Sequence, residues 1–409
     1  MVSERLAERF RANHDILVAA RDRLQAAVDA HTASADDVKR LATVKELLVP
    51  VTDVEADADG NVVQVQRPRQ FLKVDPEGKG RAVEVLGDLE HAKNVAVLVP
   101  GMGNSLDTFR GQSDRGGLIR DEAGQQNTAV VVWLDYDSPQ GLLQAASKKA
   151  AIEGGPRLAE CLTEIDELKD ANADVTVVAH SYGTDVAGQA VLRSGARPKR
   201  LVMTGSPGIE KHIDEAADFV QPPTRLFTER APGDYVSYSE WHGPDPANFP
   251  DAIRMATVDP HGQDPVSVHW HNEYYRPNSE ALRNIGRVVQ GDLEHITTTD
   301  TGRGAETELA WAIPLNVAAH IASSAYDEVT GRYDEAVAGV AVGSGAGGTE
   351  YGAAAVGYDG VTSLDYGVAV AYDGVVAPGS PSKGSGGAAA GQGRAKTVDR
   401  GGRAEGRRR

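Results

Sequence analysis

The sequence predicts an α/β fold with a mostly parallel, doubly wound sheet. Four apolar runs, at 95–99, 130–134, 175–178 and 201–203, are rich in valine and leucine and are separated by segments with the pattern of helices or loops. A weaker fifth run lies at 225–227. Continuous apolar strands that alternate with helices are what a parallel sheet covered on both faces requires. At 409 residues, 41% of them hydrophobic, the chain is long enough to bury a sizeable core.

The first 50 residues predict a helical hairpin in front of this sheet. Apolar residues recur at three-, four- and seven-residue steps over residues 3–30, which is the stripe of a helix. A second, shorter helix is expected from about Ala35 to Leu48, with Ser34 as its N-cap and Pro50 as its stop. Because the pattern is too short for a coiled coil, we expect the hairpin to be scaffold for the main domain.

Short antiparallel strands are expected near the start of the main domain, which is predicted to cover residues 51–295. Polar and apolar residues alternate at 61–66, 70–74 and 81–85. This period of two is typical of strands that bury one face. The strands are therefore expected to precede the parallel part of the sheet.

Two helices of the main domain can be placed from their sequence signals. Residues 143–169 predict the longest covering helix, and Gly154-Gly155-Pro156 is expected to divide it. Asn278 or Ser279 is expected to cap a last helix, because both residue types favour the N-cap position.

Beyond the main domain the composition changes. Residues 296–335 form an extension without a clear pattern, and residues 336–409 consist largely of Gly, Ala, Val, Ser and Asp, with a basic end. Large apolar residues, whose burial would offset the entropy of ordering, are scarce there, so we expect a disordered tail. The sequence does not indicate a partner for this tail.

The overall charge and the single cysteine argue against several classes of protein. A formal net charge of -17 argues against a nucleic-acid-binding protein. Cys161, the one cysteine, excludes an internal disulfide framework and a cysteine-rich metal site. The N-terminus lacks the apolar core of a secretory signal, and no run approaches the ~18 apolar residues of a membrane-spanning helix. We therefore expect a cytoplasmic protein without a transmembrane segment; export without a signal stays open.

Residues 174–186 carry the strongest functional pattern in the chain. An apolar run is followed by Ala179-His180-Ser181-Tyr182-Gly183, and a helical pattern begins directly afterwards. A buried strand, a sharp turn with a serine at its apex and a helix form the nucleophile elbow of α/β-hydrolases. Only small neighbours permit the strained turn, and the helix N-terminus favours negative charge that develops there. Ser181 is therefore the predicted nucleophile; the alternative is a buried strand that ends in an ordinary turn.

Asp234 is the predicted acid of a catalytic triad. In this fold the triad residues follow the chain order Ser, then Asp or Glu, then His. Asp234 lies in a Pro-Gly turn after the run at 225–227, where a short carboxylate can point back across the top of the sheet. Pro-Gly-Asp is also common turn chemistry, so Glu229 and Asp214 stay open as alternatives.

His271 is the predicted base among eleven histidines. It lies closest before the last helical pattern, where the triad histidine loop of this fold normally lies. His269 and His261 stay open as alternatives, and His180, just before the nucleophile, is expected to be structural. Together with His242 these histidines could suggest a metal. No metal-binding spacing or carboxylate pattern accompanies them, so no metal is predicted.

Backbone N–H groups at two positions are expected to stabilise the oxyanion. Tyr182, directly after the nucleophile, supplies one, and the loop after an earlier strand supplies the other. The run at 95–99 ends in Pro100-Gly-Met-Gly-Asn-Ser, whose glycines let the backbone approach a substrate closely, and Met102 is the expected donor. A phosphate-binding loop is the rival interpretation. This loop lacks the lysine of a P-loop and the third glycine of a dinucleotide fingerprint, so an oxyanion loop fits better.

Six sequence blocks, taken together, resemble one branch of the α/β-hydrolase superfamily. The blocks are Val-Pro-Gly-Met-Gly (99–103), Trp-Leu-Asp-Tyr-Asp-Ser-Pro-Gln (133–140), Val-Val-Ala-His-Ser-Tyr-Gly-Thr (177–184), Gly-Ser-Pro-Gly (205–208), Ala-Pro-Gly-Asp-Tyr-Val (231–236) and His271-x-x-Tyr274. Over about residues 60–292 the set is similar to a bacterial branch catalogued as domain of unknown function 1023. The resemblance implies the α/β-hydrolase fold, with Ser181 as nucleophile, Asp234 as acid and His271 as base. It implies no particular substrate.

These residues predict a serine hydrolase that cleaves an ester or related acyl bond of a small molecule through an acyl-enzyme intermediate. Such a triad requires no metal and no organic cofactor. Thioesterase, amidase and peptidase chemistry use the same parts, and a fold does not decide among them. The alternative is that the protein is not an enzyme but a protein of the same fold that binds a ligand or acts as a scaffold. A third interpretation is assembly through the tail.

Overall fold

The structure is a computed structural model that describes residues 2–56, 62–231, 234–258 and 270–299. Most of the predicted extension at 296–335 and the whole predicted tail at 336–409 lie outside these residues. Within the described ranges, no helix combines the length and the apolar character needed to cross a bilayer.

Eight α-helices lie in the described part of the chain. They are α1 (Val2–Asp29), α2 (Ala35–Leu47), α3 (Phe109–Glu122), α4 (Leu142–Ala145), α5 (Lys149–Leu168), α6 (Tyr182–Ser194), α7 (Tyr235–Ser239) and α8 (Glu280–Gln290). The first two form the predicted hairpin. Ser34 caps α2 in a reciprocal capping box with Asp37, and Ser279 caps α8, so both expected N-caps are present.

Ten strands lie in the same ranges. They are β1 (Val51–Ala56), β2 (Val62–Arg67), β3 (Gln70–Asp75), β4 (Arg81–Leu86), β5 (Asn94–Val99), β6 (Thr128–Leu134), β7 (Asp174–His180), β8 (Arg200–Thr204), β9 (Arg225–Glu229) and β10 (Ile253–Met255). The five apolar runs all form strands. The sequence pattern does not predict β1, which pairs with β2 in a separate two-stranded sheet, or the short β10.

The other eight strands form one sheet in the order β10-β9-β8-β7-β5-β6-β4-β3. The strands from β10 to β6 are parallel, and only β4 and β3 at one edge pair antiparallel. Every residue of β6 and of β8 is buried, as expected of a sheet covered on both faces. The predicted mostly parallel, doubly wound sheet is confirmed.

The strand order makes β5 a switch point. The chain crosses from β5 through α3 to β6 on one side, and then from β6 through α5 to β7 on the other side of β5. Because parallel crossovers are right-handed, crossings in opposite directions place α3 and α5 on opposite faces. In open α/β sheets, ligands bind at the carboxyl ends of the strands at such a point. A ligand site is therefore expected at the loops after β5 and β7.

The predicted division of the long helix is wrong, because α5 continues through Gly154-Gly155-Pro156. A Cβ atom on Gly155 would lie 2.8 Å from the Cβ of Gln189 and 2.9 Å from the backbone nitrogen of Ala190, both in α6. The glycine therefore lets two helices pack closely. The interruption instead falls between α4 and α5.

The N-terminal hairpin covers the sheet edge at β3. Asn13 of α1 donates from Nδ2 to the carbonyl oxygens of Phe71 at 2.9 Å and Leu72 at 3.1 Å. Its Oδ1 accepts from the backbone N–H of Val74 at 3.0 Å. An uncovered edge strand would present these groups to another chain. The hairpin therefore completes the edge of the sheet.

Candidate active site

Ser181 forms the junction between β7 and α6 in a strained backbone conformation. Its φ of 56° and ψ of -131° are unusual for a residue with a side chain. Backbone hydrogen bonds on both sides hold it: its N–H donates to the carbonyl of Thr204 at 2.9 Å, and its carbonyl accepts from the N–H of Thr184 at 2.9 Å. The turn is therefore fixed by the neighbouring strand and by the first turn of the helix.

Glycines around this turn have no room for a side chain. A Cβ atom on Gly183 would collide with the carbonyl oxygen of Val99, and one on Gly101 would lie 2.7 Å from the Cβ of Ser181. The small residue two positions after the serine therefore lets the first turn of α6 approach the end of β5. The loop after β5 lies directly beside the serine.

The three residues predicted as a triad lie within hydrogen-bond distance of one another. Nε2 of His271 lies 2.8 Å from Oγ of Ser181, and Nδ1 lies 2.9 Å from Oδ1 of Asp234. With a proton on Nδ1, the ring donates to the carboxylate and Nε2 accepts from the serine hydroxyl. The arrangement can thus move a proton from the serine to the imidazole.

Two of the alternatives to these residues, Glu229 and Asp214, are not part of this chain of hydrogen bonds. Both carboxyl oxygens of Glu229 lack a hydrogen-bond partner among the described groups, and Asp214 is exposed. His261 and His269 lie outside the described residues. The ring of His242 lies against Asp185, with Nδ1 and Oδ2 3.0 Å apart, and its Nε2 lies 2.8 Å from the carbonyl oxygen of Ala145.

Asp234 is fully buried and well supplied with donors. Oδ2 accepts from the hydroxyl of Tyr274 at 2.5 Å and from Ser237 Oγ at 3.2 Å, and Oδ1 accepts from the backbone N–H of Val236 at 3.0 Å. Burial raises the pKa of this carboxyl, but the charge and hydrogen bond of His271, followed by Tyr274, lower it to about 2. Asp234 is therefore ionised at neutral pH.

His180 lies beneath the site, against the backbone of the proposed base. Its Nε2 lies 2.6 Å from the carbonyl oxygen of His271, and the two rings are 4.9 Å apart. Burial, followed by the charge of His271, lowers the pKa of His180 well below its ordinary value. A neutral ring that donates from Nε2 fits this contact. Its position agrees with the structural role expected from the sequence.

Two backbone N–H groups near Ser181 are available to a ligand. Tyr182 is the first residue of α6, where N–H groups have no partner within the helix. Met102 follows β5 in the loop that lies against Ser181. Neither N–H donates to another group of the described chain. These are the two donors that the sequence predicts for an oxyanion.

Sequence reasoning missed the side chains that hold these groups. Tyr274 supports Asp234, and Tyr136, Ser138 and Asn104 contact the loop after β5. All except Asn104 lie in the sequence blocks at 133–140 and 271–274, which were therefore the available signal. Among the described residues, no cluster of three or more His, Cys, Asp or Glu side chains could hold a metal ion.

Comparison with known proteins agrees with this fold. Residues 75–242 match a family described as alpha/beta hydrolase. An uncharacterized protein of Mycobacterium tuberculosis, present in strains CDC 1551 / Oshkosh and H37Rv, is 28% identical over 255 residues. The match covers 52% of this chain and 37% of the relative, so the chain spans about a third of the relative's length.

Solved structures of similar fold have low sequence identity. A carboxylesterase from Mesorhizobium loti is 14% identical, with a TM-score of 0.33, over 55% of this chain and 98% of that one. A dienelactone hydrolase from Anabaena variabilis is 13% identical, with a TM-score of 0.33, over 56% of this chain and 98% of that one. At these values nothing about activity transfers to this chain.

The sheet order, the strand–serine–helix junction and the family match define an α/β-hydrolase domain. Residues 75–242 therefore match the alpha/beta hydrolase family, and the described part of the chain has the α/β-hydrolase fold. The narrower resemblance to domain of unknown function 1023 stays a prediction.

Proposed function

We propose that this protein is a serine hydrolase that cleaves an ester or related acyl bond of a small molecule. One observation carries the proposal: an unbroken chain of hydrogen bonds joins Ser181 Oγ to His271 at 2.8 Å and His271 to Asp234 at 2.9 Å. These are the nucleophile, base and orienting acid that acyl transfer at neutral pH requires.

Attack begins with transfer of the Ser181 proton to Nε2 of His271, as Oγ bonds to the acyl carbon. The ionised Asp234, whose pKa is about 2, keeps the Nδ1–H tautomer and stabilises the imidazolium that forms. The N–H groups of Met102 and Tyr182 receive the negative charge on the acyl oxygen. The imidazolium then protonates the leaving group as its bond to carbon breaks.

Hydrolysis of the acyl-enzyme repeats these steps with water. His271 takes a proton from water as the water oxygen attacks the acyl carbon, and it returns a proton to Ser181 Oγ as the ester bond breaks. The buried neutral His180 supports this exchange, because its contact with the His271 carbonyl holds the backbone of the base. No step requires a metal or an organic cofactor.

The first test is hydrolysis of short- and medium-chain nitrophenyl esters by the wild type and by Ser181→Ala. We expect kcat of the variant to fall by at least about 10⁴-fold. Ser194→Ala is the matched control, because this exposed serine lies at the far end of the same helix. A fluorophosphonate should label the wild type and Ser194→Ala, and not Ser181→Ala.

Two other outcomes would change the conclusion. Turnover that survives in Ser181→Ala would place the nucleophile elsewhere. A wild type that neither hydrolyses esters, thioesters or amides nor reacts with the fluorophosphonate would favour a non-catalytic protein of the same fold.

A further inference from the structure

The loop after β5 is held through one carbonyl group. The carbonyl oxygen of Gly101 accepts from Ser138 Oγ at 3.0 Å and from Asn104 Nδ2 at 2.9 Å. The one hydroxyl proton of Tyr136 is shared between this oxygen, at 3.0 Å, and the carbonyl oxygen of Pro100, at 2.8 Å. All three side chains are buried. A carbonyl oxygen has two lone pairs, so three donors saturate it. Gln112 Nε2 in turn donates to Asn104 Oδ1 at 2.8 Å, which fixes the orientation of that amide.

This carbonyl shares its peptide unit with the N–H of Met102. In a trans peptide the C=O and the next N–H point in opposite directions in one plane, so fixing the carbonyl also fixes the N–H. Tyr136 and Ser138 follow β6, whereas Ser181 follows β7, and β5 lies between these two strands. A carbonyl held from the β6 side turns the Met102 N–H toward the β7 side, where Ser181 lies.

Tyr136 also contacts the second residue of the candidate oxyanion site. Its ring lies parallel to that of Tyr182, with centroids 6.5 Å apart and an interplanar angle of 1°. Tyr182 Oη donates to the carbonyl oxygen of Ser147 at 2.7 Å, which anchors that side chain away from Ser181. The buried side chain of Tyr136 therefore contacts the loop after β5 and the side chain of Tyr182. Burial raises the pKa of Tyr136 above its ordinary value, so its hydroxyl remains a donor.

We propose that Tyr136, Ser138 and Asn104 are positioning residues that aim the N–H of Met102 at the oxyanion. The inference rests on the proposed function, because it requires an oxyanion beside Ser181. None of the three touches the substrate; each acts through the Gly101–Met102 peptide. This role also accounts for the sequence block at 133–140, which the triad leaves unexplained.

The test compares Tyr136→Phe, Ser138→Ala and their double variant with Thr224→Val. Thr224 is the matched control because it is a buried hydroxyl that donates to a backbone carbonyl, that of Pro198 at 2.5 Å, at the amino end of β9. We expect kcat for nitrophenyl ester hydrolysis to fall about tenfold in each single variant and about a hundredfold in the double variant. KM should stay within about twofold, and Thr224→Val should retain wild-type kcat.

A second readout separates positioning from general damage to the fold. An alkyl trifluoromethyl ketone forms a tetrahedral oxyanion adduct with a serine nucleophile, so its inhibition constant should rise by the same factor as kcat falls. If Tyr136→Phe lowers the yield of folded protein, kcat and the inhibition constant of Ser138→Ala decide the test, because this change removes only one oxygen atom.

The outcomes distinguish this inference from the proposed function. An active wild type whose Tyr136 and Ser138 variants match Thr224→Val in kcat and in inhibitor affinity overturns the inference and leaves the hydrolase intact. Equal losses in kcat and in thermal stability across all variants, including Thr224→Val, also overturn it. A wild type without turnover or labelling overturns the proposed function, and the inference with it.

Discussion

Tyr274 and His271 hold different oxygens of the same carboxylate. The hydroxyl of Tyr274 lies 2.5 Å from Oδ2 of Asp234, and Nδ1 of His271 lies 2.9 Å from Oδ1. Rotation of the carboxylate would break one bond or the other. The Tyr274 hydroxyl also accepts from the backbone N–H of Ala231 at 3.0 Å, which ties it to the segment before Asp234.

Tyr274→Phe should weaken both the fold and the reaction. The change keeps the ring but leaves the buried N–H of Ala231 without its acceptor and Asp234 without one donor. We expect the free energy of unfolding to fall by about 1–3 kcal/mol. We expect kcat/KM to fall about tenfold, because the carboxylate that orients His271 is less well held. Urea denaturation and ester hydrolysis measure the two effects.

The stability of the same variant should depend less on pH in acid than that of the wild type. The pKa of Asp234 is about 2, below the value of 3.8 for the free side chain. The ionised carboxylate therefore stabilises the folded state above pH 3.8, and this contribution is lost as the pH falls through about 2. With one donor fewer, the folded-state pKa should rise toward 3.8, so the variant should lose less stability than the wild type as the pH falls from 3.8 to about 2. Identical acid denaturation curves would contradict this account.

His180→Gln should reduce the dependence of stability on pH below neutrality. The pKa of His180 is well below 6.5, because burial and the charge of His271 disfavour its protonated form. The unfolded chain therefore takes up a proton that the folded chain does not, and stability falls as the pH drops below 6.5. The slope from one such group is at most about 1.4 kcal/mol per pH unit.

Glutamine at position 180 retains a donor for the His271 carbonyl but does not titrate. Urea unfolding at several pH values from 7.5 down to about 5 compares the slopes. The matched control is His212→Gln, a change at an exposed histidine. If His180→Gln and His212→Gln alter the slope equally, burial of His180 is not its cause.

Glu229→Gln should reduce a loss of stability that occurs as the pH rises, whereas His180→Gln acts on a loss that occurs as the pH falls. Glu229 is buried, its carboxyl oxygens have no hydrogen-bond partner among the described groups, and burial followed by the charge of Glu280 raises its pKa well above 4.5. Its contribution to stability is fully present below pH 4.5 and is lost as the pH rises toward the folded-state pKa. The uncharged variant should therefore lose less stability between about pH 5 and 8, by up to about 1.4 kcal/mol per pH unit.

Thermal unfolding over that range tests the Glu229 prediction. Glu215→Gln serves as the control, because Glu215 is exposed. A Glu229→Gln variant that keeps the wild-type slope would mean that Glu229 is ionised in the folded protein.

The sequence patterns predicted the order of strands and helices because strands that are buried on both faces consist of continuous apolar runs. The apolar runs became strands, and Ser34 and Ser279 cap the helices that follow them. The three-residue β10 has no such apolar run, so the sequence did not predict it. A strand this short has too few residues for a period to emerge.

Contacts between distant segments were beyond the reach of these patterns. Chain order within the fold was enough to select Ser181, Asp234 and His271, whose catalytic roles remain proposals. Nothing in the local sequence of Tyr136 indicates that its hydroxyl reaches the Gly101 carbonyl, because that meeting depends on the crossover that places β6 beside β5.

Gly155→Ala should destabilise the protein, although alanine is the better helix former. In an open helix position the change would stabilise by up to about 1 kcal/mol. At Gly155 the new Cβ would lie 2.8 Å from the Cβ of Gln189 and 2.9 Å from the backbone nitrogen of Ala190. Backbone cannot move aside as a flexible side chain does, so α5 and α6 must separate. We expect a loss of about 1–3 kcal/mol.

Gly117→Ala in α3 provides the matched control for this effect. A Cβ atom at Gly117 meets no heavy atom within 4 Å, so helix propensity alone should act and stability should rise by about 0.5–1 kcal/mol. Urea denaturation of both variants measures the difference in sign. If Gly155→Ala were also stabilising, close packing of α5 against α6 would not be the reason for the glycine at position 155.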